Sequence, residues 1–328
     1  MSENPGRFNA KAARDAAEGL EQAGGGAEHA LARIWPDGLP EPGRPVLLAG
    51  PTASGKSALA LALARAQGRA VVNADALQVY GMWRVLTARP SPADCAAVPH
   101  LLYGHVGFAD YSVGHWLRDL DTVLAEHPDP VITGGTGLYF TALTEGLAPV
   151  PPVPPEVRAA SAARLAAGGV AALVADLDAA TAARIDRANP ARVQRAWEVL
   201  RATGRGLAVW QADTPPPRLP RAACADAVVL MPDRDWLAAR IDSRFDAMLA
   251  EGALDEVRAV LSEWQAAGDG AAPWARAIGA AELVAHLRGQ ISLAEARAAA
   301  TLATRRYAKR QRTWMRNRLA TWRRVTPA

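Results

Sequence analysis

Gly50-Pro51-Thr52-Ala53-Ser54-Gly55-Lys56-Ser57 fits the G-x-x-x-x-G-K-[ST] pattern of a phosphate-binding loop. Its glycines let backbone N–H groups curl round an anion, and the helix that must follow presents the positive end of its dipole. Lys56 can neutralise outer phosphates, and the Ser57 hydroxyl is placed for Mg²⁺. Lysine is rare here: Lys11, Lys56 and Lys309 are the only three among 37 basic residues. A lysine kept inside such a motif suits a compact point charge among phosphates. The loop reports a diphosphate or triphosphate. It does not say which, nor what is transferred.

Two further strings could carry chemistry. Asp75 ends the run Ala70-Val71-Val72-Asn73-Ala74 and suits a base acting on an acceptor, a magnesium-shell residue or a helix cap. Thr136 lies in Gly134-Gly135-Thr136-Gly137, where glycines allow a ligand close to the backbone; a plain tight turn is the alternative. The two cysteines, Cys95 and Cys224, share no metal-ligand spacing and read as reduced cytosolic thiols. The six histidines are scattered and form no zinc-type pair.

These residues need elements to position them. Pro45–Ala49, Ala70–Asp75, Pro130–Thr133 and Ala227–Met231 are short apolar runs that predict buried strands. Helical stretches follow at Ala58–Ala66 and Trp236–Leu249. Strands alternating with helices predict an α/β fold, a parallel sheet with helices on both faces. Ligands of such a sheet bind beyond the carboxyl ends of its strands, so Asp75 and Thr136, ending neighbouring strands, should both face the phosphate loop. After the Pro-rich hinge Pro149–Pro155, Glu156–Gln211 reads as helix after helix, with Asn189-Pro190 as one helix start. The expected organisation is a flexible N-terminal extension over 1–43, a catalytic core of 44–148 and 214–328, and a helical insertion domain at 149–213. The region from Trp274 to Trp322 is again helical.

Half of the 328 residues are hydrophobic, enough for more than one domain, with no apolar run near the roughly 20 residues of a membrane span and no secretory h-region. The net charge of +4 is uneven: from Thr301 onward there are nine basic residues and no acid. A basic tail-end helix on a mildly acidic body fits a polyanionic partner, or else a solvated arginine-rich face. At helical spacing Arg305, Lys309, Arg312 and Arg316 share one face, while Tyr307 and Trp314 lie elsewhere, suited to packing the helix onto the sheet. These features leave two classes open. A small-molecule or nucleoside kinase using ATP has such a loop and acid, and so does a transferase that holds a departing pyrophosphate.

Specific strings separate them. GPTASGKS (Gly50–Ser57), DALQVY (Asp75–Tyr80), TARP (Thr87–Pro90), GGTGLY (Gly134–Tyr139), RVQRAWEV (Arg192–Val199) and RRYAKRQRTWMR (Arg305–Arg316) occur in this order. Together they resemble the bacterial tRNA dimethylallyltransferases, or tRNA isopentenyltransferases, from about Val46 to Leu319. The resemblance implies a P-loop-kinase-like core that does not use ATP and carries dimethylallyl diphosphate, with Mg²⁺, on Gly50–Ser57. It implies that the exocyclic amine of the adenosine 3′ of the anticodon attacks the prenyl carbon. Asp75, Thr136 and Lys56 are then catalytic, Arg305 reaches toward the diphosphate, and Ser57 meets the metal. It assigns tRNA contacts to Asp75, Ala76, Leu77, Gln78, Thr136, Arg158, Arg192, Arg195, Arg276, Lys309, Arg310, Gln311 and Arg316. The expected partner is the anticodon stem-loop of tRNA, with no membrane, and the expected state a cytoplasmic monomer. Three departures stand out: Ala76 where the family usually has Ser, Ala191 in place of Gln, and Gly81-Met82-Trp83-Arg84 in place of Arg-Gly-x-Asp.

Overall fold

The computed structural model describes residues 29–327. Residues 29–34 form a helix (α1). The chain then runs through β1 (Val46–Ala49), α2 (Lys56–Gln67), β2 (Val71–Asn73), α3 (Pro92–Ala97), β3 (His100–Leu101), α4 (Val113–Glu126), β4 (Val131–Gly134) and α5 (Gly137–Glu145). Four helices follow: α6 (Pro155–Ala175), α7 (Ala179–Arg184), α8 (Pro190–Thr203) and α9 (Leu207–Ala212). It continues through β5 (Asp226–Leu230), α10 (Arg234–Ala250), α11 (Ala253–Ala259), α12 (Leu261–Ala266), α13 (Ala280–Leu287), α14 (Leu293–Arg318) and β6 (Arg323–Val325).

The four apolar runs are strands, as expected. They are flanked by β3 and β6 in one six-stranded parallel sheet of order β3-β2-β4-β1-β5-β6. The two edge strands have no apolar run to announce them. β3 is two half-buried residues and β6 opens on two exposed arginines. Their pairing comes from the neighbouring strand, as is common for short, charged edges. Arg323 and Arg324 therefore sit on a strand and not on the basic helix. Arg323 pairs with Asp226 of β5.

The described residues divide into two compact units, 29–141 with 219–327 and Ala142–Arg218. In the first, Val46, Leu48, Val71, Val131 and Val228 of the sheet pack with Leu59 and Leu63 of α2. Leu31, Ile34 and Trp35 join that cluster. Of the extension expected over 1–43, residues 1–28 lie outside the described residues. From 29 onward the chain is packed, because these three apolar side chains find sheet and helix surface to cover. Arg69 is buried below and donates to the carbonyls of Pro40, Glu41, Arg44 and Asp129, tying this segment down. A separate cluster centres on Trp83, Trp264 and Trp274, with Phe245 and helices α11 and α13 around it.

The second unit is all-helical, as its sequence pattern requires, and wider than the expected 149–213. Its core is Leu173, Val193 and Trp197, where α6 packs on α8. By length and composition α6 is apolar enough to cross a membrane, with mean hydropathy 1.3, contrary to the sequence expectation. Gly169 (φ 65°, ψ −169°) breaks it, however, leaving a first segment of about 21 Å against a hydrocarbon core of about 30 Å.

Candidate active site

The phosphate loop leaves the end of β1, the strand paired with both β4 and β5, and turns into α2. Gly55, with φ 85°, is the N-cap of α2 and supplies no side-chain cap, so the first-turn N–H groups remain for a ligand. Lys56 is buried and donates to the Pro51 carbonyl at 3.3 Å. Burial pulls its pKa down to about 8; the Asp75 carboxylate offsets part of that, and the Arg244 guanidinium adds to it. A lysine so poised gains from any bound anion. The Ser54 hydroxyl is buried in the loop without a partner. Ser57 is exposed on the first turn of α2.

Asp75 and Thr136 do emerge side by side, because β2 and β4 are neighbours in register Asn73↔Thr133. The two turns are stitched together. Thr136 N–H donates to the Ala74 carbonyl at 3.2 Å, and Ala76 N–H donates to Thr136 Oγ1 at 2.9 Å. Asn73 holds Asp75 at both ends, accepting its N–H at 2.8 Å and donating to its carbonyl at 2.9 Å. Asp75 Oδ1 accepts from Leu77 N–H at 3.0 Å, so the turn-capping reading holds for one oxygen. Oδ2 lies on the Gly135 side, where a Cβ would come within 3.1 Å of it.

Helix α14 closes over these turns. The Gln311 side chain accepts from Thr52 N–H and donates to the Gly135 carbonyl, both at 2.9 Å, latching the phosphate loop to the Gly-Gly-Thr-Gly turn. Glycine permits this approach: a Cβ on Gly135 would lie 2.3 Å from Gln311 Nε2, and one on Gly137 2.1 Å from the Trp314 ring. Gln311 is buried at this latch. Gln78, also expected at tRNA, is likewise buried, donating to the carbonyls of Thr87 and Ala88.

Arg305 was expected near the diphosphate, but it ion-pairs with Asp242 of α10 and is not among the residues lining the cleft. The cations that reach the loop come from α10 instead. Arg244 donates to Thr52 Oγ1 at 3.3 Å and to the Thr87 carbonyl at 3.4 Å, and Arg240 to the Ala53 carbonyl at 3.2 Å. Burial lowers the Arg244 pKa, Asp75 restoring part of it. The sequence reading missed both. Their i, i+4 spacing within the amphipathic stretch 236–249 was the available signal, but it does not distinguish a ligand-facing pair from a solvated one.

Beside the loop these residues enclose a cleft. Thr52, Asp75 and Arg244 line its polar side, and Leu86, Ile241, Phe245 and Met248 its apolar wall. The arrangement can hold a polyphosphate at one end, an apolar group alongside and a carboxylate within reach. Among the described residues no cluster of three His, Cys, Asp or Glu could cage a metal. The exposed Ser57 suits a hard cation carried in by phosphate oxygens, which needs few protein ligands. Of the remaining residues expected at tRNA, Arg276, Lys309, Arg310 and Arg316 are exposed on the first unit. Arg158, Arg192 and Arg195 are exposed on the second.

Comparison with known proteins gives the family. The IPP transferase family matches residues 78–318, and the isopentenyl transferase family residues 44–101. A tRNA dimethylallyltransferase of Cereibacter sphaeroides is 67% identical over 282 residues, covering 86% of this chain and 88% of the relative. One from Dinoroseobacter shibae is 62% identical over 288 residues, covering 87% and 95%. Among solved structures, the tRNA isopentenylpyrophosphate transferase of Bacillus halodurans superimposes with TM-score 0.59 at 29% identity, over 87% of this chain and 90% of that one. A eukaryotic dimethylallyltransferase acting on tRNA, 21% identical with TM-score 0.71 over 87% of this chain and 74% of its own, shares the fold. With a nearly full-length relative at two-thirds identity, the chain belongs to the tRNA dimethylallyltransferase family.

Proposed function

We propose that this chain transfers a dimethylallyl group from dimethylallyl diphosphate to the exocyclic amine of an adenosine in tRNA, next to the anticodon, releasing pyrophosphate. The observation that carries this reading is the combination of a phosphate cradle, an apolar wall and the Asp75 carboxylate in one cleft. The kinase reading is not favoured, because the relatives of this chain are tRNA dimethylallyltransferases.

In the reaction the bond between the prenyl carbon and the diphosphate oxygen breaks and a carbon–nitrogen bond forms. Negative charge develops on the departing pyrophosphate, where the loop N–H groups, Lys56, Arg244 and Arg240 are aimed. Ser57 would hold the Mg²⁺ expected with the diphosphate, which would supply charge neutralisation to the leaving pyrophosphate. Leu86, Ile241, Phe245 and Met248 receive the apolar five-carbon group and exclude water from it. The amine proton passes to Asp75 Oδ2, the carboxylate oxygen left open by the Leu77 contact. Thr136 fixes the Asp75–Ala76 turn through its hydroxyl. The exposed arginines of both units and Lys309 meet the tRNA backbone, so the substrate is the anticodon arm and the working place the cytoplasm, with the protein as a monomer.

Purified protein incubated with dimethylallyl diphosphate and unmodified tRNA should add a five-carbon unit to one adenosine, read by nucleoside mass analysis. Asp75→Asn should lower turnover by roughly 10²–10⁴ while tRNA binding in a filter assay stays near wild type. ATP consumption with a small acceptor, and no prenylated nucleoside, would overturn the reading.

A further inference from the structure

Tyr139 lies in the first turn of α5, its N–H donating to the Thr136 carbonyl at 3.0 Å. Its side chain is only 3% exposed, and the hydroxyl is buried with no hydrogen-bond partner. A buried donor left unmet is rare in native proteins and calls for a ligand or another explanation. The ring is held firmly, stacked on Trp116 at 4.5 Å and 24°. Trp116 in turn donates to the Asn73 carbonyl at 2.7 Å, and Asn73 is the residue that grips Asp75 at both ends. Phenol and carboxylate are thus mounted on one frame. Tyr103, Tyr139 and Tyr307 all lie near enough to Asp75 to feel its charge. Of these, Tyr307 already shares a hydrogen bond with Gln311.

We propose that Tyr139 is a positioning residue that reads the acceptor base, its hydroxyl donating to the ring nitrogen N1 of the adenine whose exocyclic amine faces Asp75. This rests on the prenyl-transfer reading above. Adenine presents on its Watson–Crick edge a donor, the amine, beside an acceptor, N1, and an extruded base is read along that edge. The site presents the complement: an acceptor, Asp75 Oδ2, and a donor, the Tyr139 hydroxyl. Burial, reinforced by the charge of Asp75, holds the phenol pKa above the usual tyrosine range, so the group stays a donor at any working pH. Oδ1 is occupied by Leu77 and Oδ2 must stay open for the amine proton, which leaves N1 as the phenol's partner. Guanine sets its O6 acceptor against the Asp75 carboxylate and offers no N1 acceptor to the phenol, and is rejected. Pairing with N1 also fixes the rotation of the base, and with it the approach of the amine to the prenyl carbon.

The test uses synthetic stem-loop RNAs carrying adenosine or 1-deazaadenosine at the acceptor position, with wild type and Tyr139→Phe. On adenosine, Tyr139→Phe should lose roughly three- to tenfold in kcat/KM, the size of one neutral hydrogen bond, with KM for the diphosphate unchanged. Wild type should lose the same factor on 1-deazaadenosine, and the variant should lose nothing further there. An unimpaired Tyr139→Phe overturns the proposal, and so does a variant that loses equally on both RNAs. Should the variant not fold, the wild-type comparison decides alone, and equal rates on the two RNAs overturn it. No transfer by wild type to the adenosine RNA marks failure of the prenyl-transfer reading itself, and this inference falls with it.

Discussion

At the scale of single residues, Lys56 carries the clearest consequence. Its pKa near 8 in the free protein means that it is charged below that pH and neutral above it. Pyrophosphate affinity should therefore fall as pH rises through about 8, and binding at pH 8–8.5 should take up protons, both measurable by calorimetry in buffers of different ionisation heat. Lys56→Met should remove the proton uptake and the part of the pH dependence centred there. Stability has the opposite sign. The unfolded chain holds this proton up to its ordinary 10.5, so the contribution of Lys56 to stability rises with pH between about 8 and 10.5. The lysine itself was legible in the sequence, as one of three lysines among 37 basic residues and the one inside the phosphate loop. Its depressed pKa was not, because burial and the nearness of Asp75 and Arg244 depend on strands and helices far apart in the chain.

At the scale of elements, α14 decides how the site closes. Its apolar and basic faces were readable from spacing, and Trp314 does pack inward as expected, against Gly137. What spacing could not give is the rotation of the helix, which places Gln311 as a latch and sends Arg305 to Asp242. A Cβ at Gly137 would meet Trp314 ring atoms at 2.1–2.6 Å, so Gly137→Ala must push the helix or the ring away. Overpacking of this kind costs about 1–3 kcal/mol. Gly137→Ala should lower the Tm and the prenylation rate together. Adding Trp314→Leu should recover much of the Tm, since the smaller side chain makes room for the new methyl. No recovery would mean that the clash is absorbed elsewhere, along α5.

At the scale of the whole molecule, the segment before β1 belongs to the first unit's core. Trp35 is buried, donates from Nε1 to Asp226 at 2.8 Å and carries the Arg323 guanidinium 5.6 Å above its ring. Asp226 also receives Arg323, so three distant parts of the chain meet at one carboxylate, whose pKa lies below the usual range despite burial. Trp35→Ala should destabilise by about 3–5 kcal/mol, read in denaturant as a lower midpoint. An unchanged midpoint would show that the segment merely rests on the sheet. The i, i+3, i+4 spacing of Leu31, Ile34 and Trp35 is helical, but it spans barely one turn of a Gly- and Ala-rich stretch and does not announce burial. By itself the sequence determined the strand–loop–helix of the cradle and the strands of a parallel sheet, because local apolar runs and a glycine-rich motif specify them. The nearness of Asp75 and Thr136 was expected from strand ends and realised by the pairing of β2 with β4. Only the tertiary structure decided that Arg240 and Arg244 reach the phosphate loop while Arg305 pairs with Asp242, and that Gln78 and Gln311 are internal ties. It alone showed a buried phenol beside Asp75 that lacks a partner. Helix rotation and the burial of single polar groups are settled by packing between segments remote in sequence, and no spacing along one segment encodes them.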